Sequence, residues 1–352
     1  MHWDAFNSDA FSLITMTEAI SRMPYVPQTL AAMNLFEERG VATTTVSVNT
    51  KNRTLTLVPA VNRSAAPMAP SQPIPHNKAD VIPIPNLTRL TQEDTILSHE
   101  VQDRRRWNSE NELLSVMDLI LERTEDMQRN LRATLELHRL GAARGIVIDA
   151  DGSTELFNWF TIFNVTPAAT VFFDFANAVA PEVLNTCHAL RRSMVRASGN
   201  AMTENTPIVA LCGDNFYDDL TGHPEVRDTY ANWSAASSLL GNDGTFRVFG
   251  AFRFGEINFI NYRSTDDGGA SPAVGIPTEE AAFFPLLRGE MFRTYWMPHE
   301  TFESVNMPGR EMYAQVVPDR DRNAFVKYFL DSYPMFMNRR PELCRTGSTA
   351  AS

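Results

Sequence analysis

At 352 residues, with 43% hydrophobic and 21% charged side chains, the chain has the balance of a globular protein and the length for one large or two ordinary domains. Its net charge of −11 argues against a surface that coats nucleic acid, which needs a basic stripe to replace counterions, and against adhesion to an anionic membrane. Cys187, Cys212 and Cys344 are odd in number and far apart; they supply neither a disulfide framework nor zinc spacing, so a reducing compartment is expected.

Residues 1–20 carry Asp4, Asp9 and Glu18 and lack a basic start followed by an apolar block. The most apolar window, Leu156 to Val179, is broken by Asn158, Pro167 and Asp174, so no membrane span is expected. These features read as a soluble intracellular product. Residues 1–40 form an irregular arm with short helical pieces at Thr17 to Ile20 and Thr29 to Arg39, stopped by Gly40. Residues 41–61 then read as strand, turn, strand. Val46 and Val48 alternate with Thr45 and Ser47, Asn49 to Arg53 make a polar turn, and Leu55 and Leu57 alternate with Thr54 and Thr56. So thin a hairpin needs something to lie on.

Pro59, Pro67, Pro70, Pro73, Pro75, Pro83 and Pro85 follow, which predicts extended chain without regular sheet, because proline cannot donate to a ladder. In a monomeric enzyme this long segment would be a lid; in a lattice subunit it would be an arm over a neighbour. Ser109-Glu110-Asn111-Glu112 is a capping box. Leu113, Met117, Ile120, Leu121, Met127, Leu131 and Leu135 continue at helical spacing to a stop at Gly141. That helix would be a rod of ~46 Å, without the strict heptads of a coiled coil, so a spine against a sheet fits it better.

Ile146 to Ile148 is a strand that turns at Asp149-Ala150-Asp151-Gly152, whose glycine stands too early for a calcium loop. Pro181 to Arg196 is a helix bearing Val183, Leu184, Cys187, Leu190 and Met194 on one side. Ile208 to Leu211 is a buried strand, followed by a helix capped by Asp214 with Phe216, Leu220 and Val226 facing the core. Phe246 to Phe249 and Phe252 to Tyr262 are aromatic-rich strands. The Gly-rich loop Asp266 to Gly275 lacks the ending and helix of a phosphate cradle. Tyr313 to Leu343 alternates strand character around the turn Asp319 to Arg322.

Catalytic constellations are weak. Cys187 and His188 are adjacent on a helix and therefore point apart. His223 and His299 lack a second ligand at helical spacing. Asp214, Asp218 and Asp219 lie at a helix N-terminus, where acids are expected for dipole reasons alone. Neither a nucleophile elbow nor a dinucleotide fingerprint is present. The reading assigns no catalytic residue, no cofactor-binding residue, no cofactor and no metal ligand. Of the 31 basic residues only Lys51, Lys78 and Lys327 are lysines, a bias that reflects either codon usage or the fitness of Arg forks for paired contacts.

Four groups of residues resemble one family, in order along the chain. They begin with Asp149-Ala150-Asp151-Gly152-Ser153, followed by Trp159-Phe160. Next is Cys212-Gly213-Asp214-Asn215-Phe216-Tyr217-Asp218-Asp219-Leu220, with His223-Pro224-Glu225-Val226-Arg227 and Tyr230 behind it. Phe254-Gly255-Glu256-Ile257-Asn258-Phe259-Ile260-Asn261-Tyr262-Arg263 is the third. Last come Phe284-Pro285, Pro298, Val305-Asn306-Met307-Pro308-Gly309, Tyr313-Ala314, Tyr333-Pro334 and Arg340-Pro341. Covering most of residues 140–345, this pattern is similar to the lambda-type phage major capsid protein, the protein E family. Tyr333-Pro334-Met335 and Met297-Pro298-His299-Glu300 depart from its usual segments.

The resemblance implies an α+β chain with the Hong Kong 97-type capsid fold. Its parts would be an N-terminal arm (1–40), an extended loop (41–107), a peripheral domain with the spine helix (108–179), an axial domain (180–305) and a return to the peripheral domain (306–352). It implies a major capsid protein of a tailed bacteriophage, assembled in the host cytoplasm and found in the virion. Copies would form the pentamers and hexamers of an icosahedral head. The partners would be the chain itself with scaffold, portal and decoration proteins, no membrane, and double-stranded DNA enclosed without sequence-specific binding. An intracellular enzyme with a long lid loop and a minor virion structural protein are the alternatives.

Some shells of this fold link a loop lysine to a neighbour's asparagine. Lys51 stands between Asn49 and Asn52, but among polar turn residues an amine keeps its ordinary pKa of ~10.4 and stays protonated. Boiled, denatured particles should therefore run as a single band near the 39.5 kDa monomer; a covalent ladder that vanishes in Lys51→Arg would contradict this.

Overall fold

The structure, a computed structural model, describes residues 29–50, 80–85, 88–101, 116–176, 181–199, 201–203, 205–231, 251–262, 275–287, 289–322 and 324–350. The apolar run after Pro207 becomes β8 (Ile208–Cys212), buried at every residue. A strand without polar alternation must be covered on both faces, and β8 sits inside a six-stranded mixed sheet. The order is β7 (Val171–Phe172), β16 (Arg345–Ser348), β11 (Glu280–Pro285), β8, β10 (Ile257–Asn261), β9 (Ala251–Phe254). β8 runs parallel to β10 and antiparallel to β11. Phe173 stacks on Phe283 with centroids 5.7 Å apart, and Phe216 meets Phe173 edge-on at 5.2 Å. β9 and β10 form a tight hairpin through Gly255 and Glu256, both at positive φ, the backbone that matches strand twist in a two-residue turn.

The helices beside this sheet are short. α5 (Glu182–Ala197) buries Val183, Cys187, Leu190 and Met194, as its periodicity predicts. The helix after β8 starts one residue earlier than expected. Its N-cap is Gly213, and Asp214 is the first residue of α6 (Asp214–Gly222). Backbone extension at His223, imposed by Pro224, separates it from α7 (Pro224–Ala231). Phe216, Leu220 and Val226 are buried as predicted.

The long helix is α3 (Val116–Arg144), 29 residues or ~43 Å. Its capping box at 109–112 lies outside the described residues. The expected stop does not hold: the helix passes through Gly141 and ends at Gly145, whose φ is +94°. Gly141 serves a close approach instead, because a Cβ there would lie 2.7 Å from the Ile146 carbonyl oxygen. α3 packs against a three-stranded sheet of β13 (Tyr313–Pro318), β14 (Phe325–Ser332) and β4 (Leu90–Leu97). It also packs against β15 (Pro334–Asn338) of a second such sheet, with β1 (Glu37–Gly40) and β12 (Phe292–Trp296), and against β5 (Ile146–Ile148). β5 pairs with β6 (Glu155–Asn158), which leads into α4 (Trp159–Ile162). Short α2 (Ser98–Val101) follows β4.

Three expectations for the N-terminal third are corrected. The helix from Thr29 stops at α1 (Thr29–Ala32), where Asn34 turns left-handed at φ +54°. Residues Glu37 to Gly40 instead pair in parallel with β12, so Gly40 ends a strand. Tertiary pairing overrides local propensity here, with Glu37 held by Arg293 at 3.1 Å. β2 (Thr45–Thr50) pairs with β3 (Asp80–Pro85), while the expected hairpin partner at Leu55 and Leu57 lies outside the described residues. The proline-rich return is therefore strand over 80–85. Pro83 and Pro85 stand two apart, which turns both missing donors to the same edge of the ribbon. Val46, Val48 and Ile84 are buried along its one apolar face. The expected segments at Thr17 to Ile20, Phe246 to Phe249 and most of Asp266 to Gly275 also lie outside the described residues.

A Cβ on Gly145 would stand 2.4 Å from the Phe160 ring with φ in the left-handed region, whereas one on Gly222 meets nothing within 4 Å. Gly145→Ala should cost ~3 kcal/mol, and Gly222→Ala should stabilise by ~0.5–1 kcal/mol, in urea unfolding of the subunit. Equal effects would contradict these end geometries.

Candidate functional site

The residues that a sequence reader would test for chemistry are the cysteines and histidines, and the fold separates them. Cys187, Cys212 and Cys344 are all buried as free thiols. Burial pushes Cys187 and Cys344 up to about 12 and Cys212 higher still, so none forms the thiolate a nucleophile needs. His223 is buried at the α6–α7 break beside Phe175, with ring centroids 6.3 Å apart. Asp214 accepts a hydrogen bond from the Asn261 side chain at 2.9 Å. Asp218 and Asp219 are exposed on α6. In the Asp149–Gly152 turn, Asp151 accepts from the Ser153 and Thr154 amides, each at 2.9 Å. Those bonds, the Thr154 hydroxyl first, hold Asp151 far below the carboxylate range and use its oxygens locally. Among the described residues, no group of three His, Cys, Asp or Glu side chains is placed to hold a metal ion.

What the fold does assemble is a charged seam along α3. From Leu131 to Ala143 no residue of the helix is exposed, although Arg132, Glu136, His138 and Arg139 lie in that stretch. Glu136 is fully buried; its Oε1 accepts from the Leu30 amide at 2.7 Å and from the Tyr262 hydroxyl at 3.2 Å. Burial pushes its carboxyl up, while the Leu30 and Ala31 amides, Arg139 and Tyr262 pull it back; the net is above the ordinary value. Arg139 lies 3.7 Å from Glu136 and 3.9 Å from Glu38 of β1, with its guanidinium 5.1 Å from the Phe336 ring centre. Desolvation drops His138 to about 4, so it is neutral at pH 7. One carboxylate thus ties the start of α1 and the end of β10 to the spine.

Two further clusters fix the strands that flank it. Arg123 of α3 reaches Asp94 of β4 at 3.1 Å and also pairs with Glu100 of α2. Tyr328, opposite Asp94 across the ladder, donates to it at 2.6 Å. His299 lies 3.1 Å from Asp331 of β14, and Arg89 reaches the other Asp331 oxygen at 3.5 Å. Burial alone would raise the Asp331 carboxyl, but hydrogen bonds from His299 and Thr91 and the charge of Arg89 hold it below its usual value. His299 has no partner at helical spacing; it sits in the loop after β12 and its partner lies 32 residues away on β14, a separation that no local spacing reveals. Glu136 and Arg139 are hidden likewise, because nothing in the local sequence separates them from the other charges of the long helix. These clusters hold elements together and place no nucleophile beside a base.

The family described as Phage major capsid protein E matches this chain over residues 12–349. The major capsid protein of Pseudomonas phage KPP10 is 33% identical over 114 residues, which is 30% of this chain and 32% of that one. The major capsid protein of Salmonella phage Felix O1 is 22% identical over 359 residues, 95% of each chain. Among solved structures, a prophage capsid protein of E.coli CFT073 superposes with a TM-score of 0.53 at 13% identity, covering 93% of this chain and 94% of that one. That likeness shows the fold, the Hong Kong 97-type expected from the motifs.

The Asp331 cluster carries a pH dependence. A carboxyl held below its unfolded value of 3.8 contributes stability that is present above pH ~4 and fades as pH falls through the folded value. Asp331→Asn should cost ~2 kcal/mol at pH 7, and its deficit against the parent should shrink below pH ~3.5 in urea unfolding. A deficit independent of pH would contradict the charged arrangement.

Proposed function

The chain belongs to the phage major capsid protein E family and is a major capsid protein of the virion; from that premise we propose that its copies close into the pentamers and hexamers of an icosahedral head around a double-stranded DNA genome. The family match over residues 12–349 carries this reading. In it the subunit works by geometry and catalyses no reaction. Residues 1–40 serve as the arm and 41–107 as the extended loop. Residues 108–179 and 306–352 make the peripheral domain around α3, and 180–305 the axial domain. The two-stranded ribbon supports this division, since β2 and β3 pair only with each other among the described strands and expose one side.

Assembly in the host cytoplasm, with scaffold, portal and decoration proteins as partners, belongs to the same proposal. The net charge of −11 agrees with DNA that is enclosed rather than bound in sequence-specific contacts.

Negative-stain microscopy of the purified protein tests the reading, with shells, rings or tubes as the expected result. A discrete monomer or dimer in size-exclusion chromatography, at every concentration and salt tried, would count against it. Residues 41–107 should be cleaved by protease in free subunits and protected in particles; equal protection in both states would contradict the loop's place over a neighbour.

A further inference from the structure

Part of the described surface is apolar where a solitary subunit has no use for it. Phe302 is 99% exposed, Val305 54% and Met307 52%. They stand on the loop between β12 and β13, where Phe302–Ser304 make a single 3-10 turn. The turn is fixed from inside. The Thr301 amide donates to His299 Nδ1 at 3.2 Å, the Thr301 and Ser304 hydroxyls are 3.2 Å apart, and the Met307 amide donates to the Ser304 carbonyl at 3.1 Å. Downstream, the Gly309 amide donates to the Val41 carbonyl at 3.0 Å. Phe302 is therefore presented to solvent by an ordered knuckle. Exposed Glu300 and Glu303 flank it.

The same chain carries a surface of opposite character. The outer side of α5 exposes Ala189, Arg192, Val195 and Arg196, neighbours at three- and four-residue spacing. Val195 is 39% exposed between the two arginines. One surface is aromatic with acidic flanks, the other a small apolar step with basic flanks.

We infer that the Phe302 knuckle seats on the outer face of α5 of a second copy of this chain, with Glu303 facing Arg192 and Arg196. The inference rests on the shell reading above and names one contact within it. Among the described residues nothing covers Phe302, and the basic flanks of Val195 match the acidic flanks of the knuckle. The two patches are different surfaces of one chain, which makes the contact heterologous. Contacts of that kind link copies head to tail into rings and closed shells rather than into isolated pairs. Each patch is a handful of side chains, short of the ~800 Å2 per partner of a stable pair, so it acts only where many weak contacts add.

The test compares assembly of the parent protein with that of Phe302→Ser, Glu303→Arg, the pair Arg192→Glu and Arg196→Glu, and the three charge reversals combined. Light scattering and microscopy report assembly, and melting of the free subunits checks their folding. Phe302→Ser should raise the protein concentration needed for assembly by about tenfold or more. Each charge reversal should weaken assembly, and the combination should recover most of the loss. Separately, Glu303→Cys with Arg192→Cys should give disulfide-linked oligomers in particles under oxidation, since the three native cysteines are buried. Normal assembly of Phe302→Ser, no recovery in the combined variant, or no disulfide in particles would overturn the contact while the shell reading stands. A parent protein that forms no particles would sink both.

Discussion

A helix of 29 residues whose second half has no exposed side cannot be buried by any single sheet, and most of this molecule is arranged around that constraint. α3 takes contacts from both three-stranded sheets, from the β5–β6 hairpin, from β11 of the six-stranded sheet and from α1. The helix carries charge into this interior, and a buried charge needs partners. Glu136 finds them in two distant pieces of chain, the amide of Leu30 and the hydroxyl of Tyr262. Removing that carboxylate would take an acceptor from both, so the N-terminal segment, the spine and the chain end of β10 meet at one buried oxygen.

The same device recurs at α5, whose first amides at Val183 and Leu184 donate to Glu225 of α7 at 3.0 and 3.2 Å. In both cases the start of a helix is satisfied by an acid from another element rather than by its own cap residue, so helix position depends on tertiary packing. Arginine plays the complementary part. Arg123 spans Asp94 and Glu100, Arg139 spans Glu136 and Glu38, and Arg89 spans Glu300 and Asp331. Each fork bridges two acids on separate segments, a task for which a guanidinium is shaped and an ammonium is not. That gives the low lysine count a structural use beyond codon choice.

For a shell subunit this division of labour is coherent. The body is rigid, with strands, helix and seam locked by buried polar contacts. The Phe302 knuckle stands on it with apolar side chains that the described residues leave exposed. The thiols and His138 are neutral because they are buried.

The sequence alone determined what depends on short-range pattern. The unbroken apolar run of β8, the 3.6-residue stripe of α5 and α3, the Asp151 turn and the family motifs were all legible, because each is written within a few residues. Tertiary structure decided what depends on distant partners. Glu37-Glu38-Arg39 has no strand character, yet it becomes β1 because β12 offers a ladder and Arg293 a countercharge. β2 pairs with β3 thirty-odd residues on, because Ile82 and Ile84 match Val46 and Val48 on one face. Gly141 reads as a stop, but it lies inside the helix, where the close passage of Ile146 leaves no room for a Cβ. The partners of Glu136 and His299 were equally out of reach, since hydrogen bonds across 106 and 32 residues are set by the folded backbone and leave no periodic trace in the chain.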